Sequence, residues 1–391
     1  MTQGPSDYRI LAGRAADAHN DGQDVVITIK QGRITDVSHE ASNTKPQASD
    51  LDYRNSTVMP GFIDIHVHGG AGEYVMSGTA EGLVHIAAHL ASHGVTGFLS
   101  TTVTGAWEEQ TQAVAVAASA MRSEENGQHG AAVLGVHLEG PYINATRKGA
   151  QPPEYVLVPD VEDLVLGVGD NLYALKVVTL APEILGGFEL IRFLSSRGIV
   201  SSIGHSDATY DQVSAGISAG ATHVTHCFNA MRPMEGREPG VVGAALAREE
   251  LVSELIWDNI HVHPANCRTL INAKTSAGVI LISDGIPGAG MHEGYEFYLG
   301  EHLVVVKGGA ARLATGTLAG SLLTLDTAVK NACEFCIKDR AAMSAYNAAR
   351  SLNLDDRKGL IKPGYDADLV VLDPDGRVQH TLIAGNHVFS A

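Results

Sequence analysis

Eight short apolar runs, separated by longer segments of helical character, constrain the fold of this 391-residue chain more than any other feature. The runs are rich in β-branched residues and occupy residues 58–67, 94–100, 132–138, 174–180, 199–203, 222–225, 252–257 and 279–282. Helical candidates lie between them, among them residues 80–93, 108–122, 188–197 and 210–219. Strands that alternate with helices indicate parallel βαβ units, and eight such units over about 300 residues predict a closed (β/α)₈ barrel of the α/β class.

Strand-like runs at the two ends of the chain predict a second, smaller unit. They are residues 8–15, 25–30 and 33–39 at the start and residues 367–373, 378–384 and 387–390 at the end. Turn signals lie at Asp21-Gly22, Gln31-Gly32, Asp375-Gly376 and Gly385-Asn386. We therefore expect a small β-sandwich, discontinuous in sequence, formed by residues 1–57 and 358–391 around a barrel of residues 58–357.

Composition and charge narrow the class of protein. A hydrophobic content of 45% with 18% charged residues is typical of a globular chain, and a net charge of −17 argues against nucleic-acid binding. No apolar stretch approaches the roughly 18 residues of a membrane helix, and the opening MTQGPSDYRI does not resemble a signal peptide. Four cysteines are too few for a disulfide framework, so we expect a reduced, cytoplasmic protein with no membrane partner.

One pair of these cysteines, Cys333 and Cys336, forms a CxxC. It lies in a run of helical character, with no second CxxC and no thioredoxin-like context. We therefore expect neither a structural zinc site nor a redox motif at this pair.

Polar side chains lie at or just beyond the ends of five of the eight predicted strands. They are His66 and His68, His137 and Glu139, His205 and Asp207, His226, and Asp284. Barrel enzymes place their sites at the carboxyl ends of the strands, so these residues should converge, and an H-x-H on a strand directs both imidazoles to one face. Imidazole nitrogen and carboxylate oxygen suit Zn²⁺, Fe²⁺ or Mn²⁺. The pattern predicts a metal site, whereas a serine nucleophile at Ser206 or Ser283 lacks the G-x-S-x-G context.

The segments that carry these residues resemble a known family. PGFIDIHVHG at residues 60–69 and PGYDADLV at residues 363–370 resemble signatures of the amidohydrolase superfamily. HLEGPYI at 137–143, GHSDAT at 204–209 and HCFNAM at 226–231 resemble the N-acetylglucosamine-6-phosphate deacetylase family within it. The match covers nearly the whole chain in the expected order.

The resemblance implies roles for the polar strand ends. Glu139, His205 and His226 would hold a main metal ion, and His66 and His68, with Glu139 bridging, would hold a second. One or two divalent ions per chain are thus expected, with zinc favoured and iron, manganese or cobalt as alternatives. Asp284 would be the catalytic acid and base.

The resemblance also implies a substrate site and a homodimer. Residues expected to contact a phosphorylated N-acetyl sugar, which would be hydrolysed to the amino sugar phosphate and acetate in amino sugar catabolism, are Ala150, Gln151, Asn229, Ala230, Arg237, His261, Leu318, Ala319 and Gly320. Two positions depart from the family pattern. Asn259 stands where the family has glycine, which asparagine tolerates. Gln151 stands where some members have histidine, and it cannot carry a proton.

Three alternatives remain open from the sequence. The galactosamine epimer of the sugar differs by the orientation of one hydroxyl, which the sequence does not decide. Another amidohydrolase acting on a cyclic or linear amide would usually bridge its metals with a carboxylated lysine, and Lys176 does not lie in a matching motif. A binding protein on a decayed barrel would have lost ligands, whereas all of them are present.

Overall fold

A computed structural model of the chain describes residues 7–300 and 302–391. The prediction that the opening MTQGPSDYRI is not a signal peptide concerns residues that lie mostly outside these ranges. The strands, in chain order, are β1 Tyr8–Ala16, β2 Asp21–Lys30, β3 Arg33–His39, β4 Leu51–Pro60, β5 Phe62–Val67, β6 Gly69–Gly70, β7 Glu73–Tyr74, β8 Val95–Thr102, β9 Ala132–Glu139, β10 Leu175–Leu180, β11 Val200–Ile203, β12 His223–Val224, β13 Val252–Leu255, β14 Val279–Leu281, β15 Glu296–Leu299, β16 His302–Lys307, β17 Ala310–Leu313, β18 Leu369–Leu372, β19 Val378–Ile383 and β20 Asn386–Ser390. The α-helices are α1 Ala80–Ser92, α2 Trp107–Arg122, α3 Val161–Val168, α4 Gly187–Ser196, α5 Tyr210–Ala219, α6 Gly240–Ala247, α7 Pro264–Lys274, α8 Leu325–Asn331, α9 Ile337–Ala341 and α10 Asn347–Ser351.

The barrel consists of eight parallel strands in the order β5, β8, β9, β10, β11, β12, β13 and β14. Their residues are buried almost throughout, as expected when helices cover one face and the barrel interior the other. The first and last strands meet just beyond β14, where the Asp284 N–H donates to the His66 carbonyl over 2.9 Å. Val67 and Gly285 form a parallel bridge beside it. The predicted barrel is confirmed.

The first predicted run, residues 58–67, is two strands rather than one. Pro60 ends β4, where it pairs with Leu369 of β18 in the sheet outside the barrel, and Phe62 begins β5. Gly61 lies between them, and a Cβ there would come within 2.1 Å of Thr96. The chain passes from one sheet to the other at Gly61. The sequence shows no break there, because the end of β4 and all of β5 are buried and mostly apolar.

The two chain ends form one mostly antiparallel sheet in the order β20, β19, β18, β4, β1, β2 and β3. Only β1 and β4 run parallel within it. Its buried side chains, such as Ile10, Ile27 and Leu369, form a hydrophobic cluster separate from that of the barrel. A separate sheet built from both ends is therefore confirmed, while the boundaries at residues 57/58 and 357/358 stay predictions.

Two turns of this sheet differ from the prediction. Asp21-Gly22 lies inside β2, paired with Ala16 and Ala15 of β1. The turn is instead residues 17–20, where Asp17 Oδ1 accepts from the N–H groups of His19 and Asn20. At the other end the turn is Ala384-Gly385, since Ile383 pairs with Asn386. Each predicted signal was close to its turn, but the aspartate and the asparagine belong to strands.

Helices α1 and α5 begin at threonines that accept backbone hydrogen bonds. Thr79 accepts from the Gly82 N–H, and Thr209 forms a capping box with Gln212. Thr209 is the last residue of the GHSDAT segment, so the capping box fixes where the loop beyond β11 ends. The helical candidates at residues 80–93, 108–122, 188–197 and 210–219 are all confirmed, with ends within one residue.

An antiparallel sheet of β15, β16 and β17 is inserted between β14 and α8, and the sequence analysis did not find it. Phe297 and Val304 pack in a small cluster with Ile286, which lies just beyond the last barrel strand. Apolar residues on both sides of Gly308-Gly309 were the signal for a hairpin, since a Gly-Gly pair is typical of a two-residue hairpin turn. The insertion matters because its loops border the cavity described below.

The helical interpretation of the CxxC segment is wrong. Helix α8 ends at Asn331, Cys333 lies in the following turn, and Cys336 is the N-cap residue of α9. Both thiols are free and exposed, and Cys227 and Cys267 are free and buried. Over the ranges that the structure describes, no helix combines the length and apolar character needed to cross a membrane.

Candidate metal centre and active-site cavity

Six polar side chains converge at the carboxyl end of the barrel, as predicted. They are His66 on β5, His68 just beyond it, Glu139 at the end of β9, and His205, His226 and Asp284 beyond β11, β12 and β14. All six are buried or nearly so. Residues separated by up to 218 positions therefore share one site because parallel strands end at the same rim.

Glu139 is the centre of this cluster. Its Oε1 lies 3.0 Å from the Nε2 atoms of both His205 and His226 and 3.6 Å from that of His66. Its Oε2 lies 3.4 Å from His68 Nε2. One carboxylate thus faces four imidazoles and divides them into a main subsite (Glu139, His205, His226) and a first-strand subsite (His66, His68, Glu139).

Two of the four imidazoles, His68 and His205, present Nε2 inward because a backbone carbonyl occupies Nδ1. His68 Nδ1 lies 3.1 Å from the Thr101 carbonyl, and His205 Nδ1 lies 2.9 Å from the Arg147 carbonyl. A carbonyl oxygen only accepts, so each Nδ1 carries the proton and each Nε2 exposes a lone pair. This is the tautomer that binds metal ions through Nε2.

The crowding of acceptors fits a bound cation. The Nε2 atoms of His205 and His226 lie 3.1 Å apart, and those of His66 and His68 lie 3.2 Å apart. Lone pairs of nitrogen facing one another and a carboxylate repel unless a positive charge lies between them. The donor atoms of each subsite lie within 4.8 Å of one another. Both subsites therefore fit a divalent ion with nitrogen and oxygen ligands.

The buried charges perturb the pKa values of the cluster in opposite directions. Burial lowers the pKa of His66 to about 3. Burial also opposes the charged form of His226, but the hydrogen bond with Glu139 and the negative charges of Glu139, Asp284 and Glu254 together outweigh it and raise the pKa of His226 to about 9. Asp284 is buried too, yet the neighbouring His66 and His68 lower its pKa to about 2. Asp284 is therefore a carboxylate at neutral pH.

Three of the six residues have left-handed backbone conformations. The φ angles are +48° at His205, +30° at His226 and +50° at Asp284. Such conformations cost on the order of 1 kcal/mol or more in a residue with a Cβ, and they occur preferentially at functional sites. Here each one lies just beyond a barrel strand.

A cavity of about 980 Å³ opens above the cluster. Seven of the nine predicted substrate contacts line it, namely Ala150, Gln151, Asn229, Ala230, His261, Leu318 and Gly320. Ala319 does not, because its side chain is buried against Ile286 and its N–H donates to the Ala311 carbonyl. Arg237 does not either, because it lies exposed on a loop outside the cavity.

Gln151 lines the cavity and also makes three contacts with the protein. Its Nε2 lies 3.0 Å from Glu139 Oε2 and 3.2 Å from His205 Nε2, and its Oε1 accepts from the Thr104 N–H. The side chain is buried at the cavity wall. Gln151 therefore supports the main subsite, and its predicted contact with the substrate stays a prediction.

His261 is held by its neighbour Asp258. Oδ2 of Asp258 lies 2.6 Å from His261 Nδ1, and Oδ1 accepts from the N–H groups of Ile260 and His261. Asn259 has φ +64°, the conformation that glycine also serves, so the expected tolerance of asparagine is confirmed. Because Nδ1 is engaged, His261 offers Nε2 to the cavity that it lines.

Sequence reasoning missed two groups at the site. Glu254 lies on β13 beneath the cluster, with its Oε2 2.9 Å from His66 Nδ1. A glutamate inside the apolar run VSELIW was the available signal, because glutamate is almost never fully buried unless paired. Tyr298, Leu299 and His302 of the inserted sheet also line the cavity.

Comparisons with known proteins agree with this geometry. The model of the amidohydrolase family matches residues 57–388. N-acetylglucosamine-6-phosphate deacetylase of Bacillus subtilis (strain 168) is 40% identical over 368 residues, which cover 93% of this chain and 92% of the relative. N-acetylgalactosamine-6-phosphate deacetylase of Escherichia coli O157:H7 is 40% identical over 329 residues, covering 83% and 86%.

A solved structure extends the likeness to three dimensions. It is a mutant N-acetyl-D-glucosamine-6-phosphate deacetylase from Mycobacterium smegmatis in complex with N-acetyl-D-glucosamine-6-phosphate. The TM-score is 0.90 at 32% identity, covering 98% of this chain and 100% of the other.

Proposed function

The chain belongs to the amidohydrolase family, and from that premise we propose that it hydrolyses N-acetyl-D-glucosamine 6-phosphate to D-glucosamine 6-phosphate and acetate. This reaction serves amino sugar catabolism and recycling. The observation that carries the proposal is the convergence of four histidines and two carboxylates on the floor of a sugar-sized cavity. The chain around that cavity matches deacetylases of this substrate over more than nine tenths of its length, 93% for the Bacillus subtilis protein.

The family is metal-dependent, and the two subsites fit divalent ions. We propose that Glu139, His205 and His226 hold the main ion and that His66, His68 and Glu139 hold a second. Zinc suits nitrogen and oxygen ligands of this kind, and iron, manganese and cobalt accept the same set. When bound, the ion polarises the acetamido carbonyl and lowers the pKa of water so that hydroxide is available near neutral pH.

Asp284 supplies the proton transfers. Its Oδ1 lies 3.2 Å from His68 Nε2 and 3.5 Å from His66 Nε2, so the carboxylate lies at the edge of the cluster and faces the cavity. As an anion, it accepts the proton of the attacking water. The protonated carboxyl then donates that proton to the departing nitrogen, which leaves as an amine while the acetyl group becomes acetate.

The phosphate end of the substrate requires donors in a cavity poor in positive charge. Glu108, Glu109 and Glu154 line the cavity, and no lysine or arginine does so among the residues placed by the structure. His261, oriented by Asp258, is the hydrogen-bond donor that we assign to the phosphate. Asn229, the Ala230 backbone and the amides around Leu318 complete the set.

We keep Arg237 as a proposed phosphate contact, although within a single chain it does not line the cavity. It is exposed on a loop outside its own cavity. It reaches a phosphate if this loop moves, or if a second copy of the chain presents Arg237 to the neighbouring cavity. We propose a homodimer on this ground, because the dianion otherwise meets few cations.

Two further assignments accompany the function. We propose a cytoplasmic enzyme, because phosphorylated sugars are intracellular metabolites and the four cysteines are free. We also propose that residues 58–357 form the catalytic barrel domain and that residues 1–57 and 358–391 form the smaller domain.

A second candidate substrate is N-acetylgalactosamine 6-phosphate. The Escherichia coli relative named for it is as similar to this chain, at 40%, as the Bacillus subtilis protein. The test is acetate release from both epimers and from unphosphorylated N-acetylglucosamine, with metal content measured on the same sample. We expect the highest kcat/KM for N-acetylglucosamine 6-phosphate and a poor rate for the free sugar. A higher value for the galactosamine epimer would reassign the substrate.

A further inference from the structure

Glu254 is a buried carboxylate beneath the metal cluster that the proposed mechanism does not use. It lies on β13 and has no exposed surface. Charged side chains are rarely enclosed in this way without a defined partner. Its neighbours in the barrel interior include His66 and His137, and the three side chains together offer donor atoms within 4.8 Å of one another.

The hydrogen bonds of His66, His137 and Glu254 argue against a third metal site at these three residues. His137 Nδ1 lies 2.9 Å from the Ile65 carbonyl, so it donates there, and its Nε2 lies 2.7 Å from the Thr179 hydroxyl. Both nitrogens of His137 are therefore engaged in hydrogen bonds. His66 directs Nε2 to Glu139 and has only Nδ1 available for Glu254.

One oxygen of Glu254 contacts a ligand of each subsite. Oε2 lies 2.9 Å from His66 Nδ1 and 3.1 Å from the backbone nitrogen of His226. The peptide N–H can only donate, so this oxygen is an acceptor, and a donating His66 Nδ1–H completes the arrangement. The His66 lone pair is thereby fixed on Nε2, where Glu139 and His68 lie.

The second contact supports a strained residue. His226 has φ +30°, and Glu254 Oε2 accepts its N–H. The Glu254 backbone carbonyl accepts from the N–H of Cys227, the residue after His226, over 2.8 Å. The segment that carries His226 is thus bound by both the side chain and the backbone of Glu254. The His66 ring contacts Glu254 only through the Glu254 side chain.

We infer that Glu254 is a positioning residue that joins the two metal subsites through one carboxylate oxygen, holding the His66 ring and the His226 backbone together. This inference rests on the metal site proposed above. Partners of metal-bound histidines typically contribute 10–100-fold to metal affinity. Loss of the Glu254 side chain should therefore weaken the first-strand subsite about 10–100-fold. The main subsite should weaken less, because the backbone contact at Cys227 is kept.

The test is a zinc titration of the full-length protein after chelator treatment, with wild type, Glu254→Leu and Glu254→Gln. Leucine removes both hydrogen bonds. Glutamine keeps an oxygen that can accept both N–H groups, but not the charge, so its affinities should lie between those of wild type and Glu254→Leu. The readout is the affinity of each binding step, measured by competition with a chelating indicator, so that catalysis is not needed.

Ser253→Ala is the matched control, since Ser253 is the preceding residue of β13 and equally buried. Within the described residues its hydroxyl has no hydrogen-bond partner. We expect this variant to bind zinc as wild type does. Urea unfolding of each chelator-treated variant measures stability separately from affinity. If Glu254→Leu does not fold, the glutamine variant carries the test, with a weaker first-strand subsite as the expected result.

Wild-type zinc affinities at both subsites in Glu254→Gln and Glu254→Leu would overturn the inference, even if both variants were less stable. An equal loss at both subsites would overturn the assignment of the His66 ring as the main target. Failure of the wild-type protein itself to bind zinc would instead refute the proposed metal site.

Discussion

Replacing Asp284 with asparagine separates the chemistry of the site from its structure. The backbone of residue 284 closes the barrel, since its N–H donates to the His66 carbonyl over 2.9 Å and its carbonyl accepts from the Ser321 N–H over 2.8 Å. Both bonds survive the substitution, and asparagine tolerates the left-handed φ of +50° at this position. The variant should therefore fold, while losing a carboxylate whose pKa is lowered to about 2.

The expected loss is large. A general acid or base contributes about 10²–10⁴-fold, which corresponds to roughly 3–5 kcal/mol of activation free energy. We expect kcat to fall by at least this range, because Asp284 is assigned to both proton transfers. KM should change little, since the substitution leaves the predicted phosphate contacts unaltered.

The assay is steady-state release of acetate from N-acetylglucosamine 6-phosphate, with circular dichroism and metal content checked for each variant. Asp207→Asn is the matched control. Asp207 also follows a barrel strand, but its carboxylate pairs with Arg147 at 2.8 Å and Arg232 at 2.7 Å and does not line the cavity. Near-normal kcat in Asp284→Asn, or an equal loss in Asp207→Asn, would refute the assignment.

Three other predictions test the ligands and the phosphate contacts. His205→Ala and His226→Ala should each lose the main ion and nearly all turnover, and unchanged metal content would contradict this. Metal-replete protein should contain up to two divalent ions per chain; elemental analysis that never exceeds one would remove the first-strand subsite. Arg237→Ala should lower kcat/KM for the phosphosugar far more than for the free sugar if Arg237 reaches the phosphate, and an equal factor for both sugars would exclude that contact.

The sequence predicted the barrel and the convergence of its polar strand ends because both depend on local patterns. Helix signals separate several of the apolar runs, and each predicted ligand lies at the end of a run or within two residues beyond it. Topology then brings the ligands together without any further information, since all parallel strands end at one rim. His66 and Asp284 are thus predicted neighbours although no motif joins them.

What the sequence missed depends on tertiary contacts. The passage from β4 to β5 at Gly61 leaves no break in hydropathy, because both strands are buried. Gln151 was expected to contact the substrate, and this stays a prediction because it lines the cavity; what the sequence did not show is that its amide also lies against Glu139, which depends on the path of the loop. Arg237 matched the family pattern, yet its loop lies outside the cavity of its own chain.

Glu254 illustrates the intermediate case. The sequence shows a glutamate inside a predicted buried strand. Its partner is His66 Nδ1, which lies 188 residues away in the sequence. Such a partner can be named only once the strands are paired. The sequence therefore indicated that Glu254 is unusual, but it did not indicate what Glu254 does.

Removal and restoration of the metal test the central claim most directly. The enzyme is treated with a chelator, and acetate and glucosamine 6-phosphate released from N-acetylglucosamine 6-phosphate are measured before and after zinc is added back. Metal-dependent deacetylation predicts that both products disappear together with the metal and return together, in equal amounts, when zinc is restored. Undiminished release from protein shown to contain no metal would contradict it.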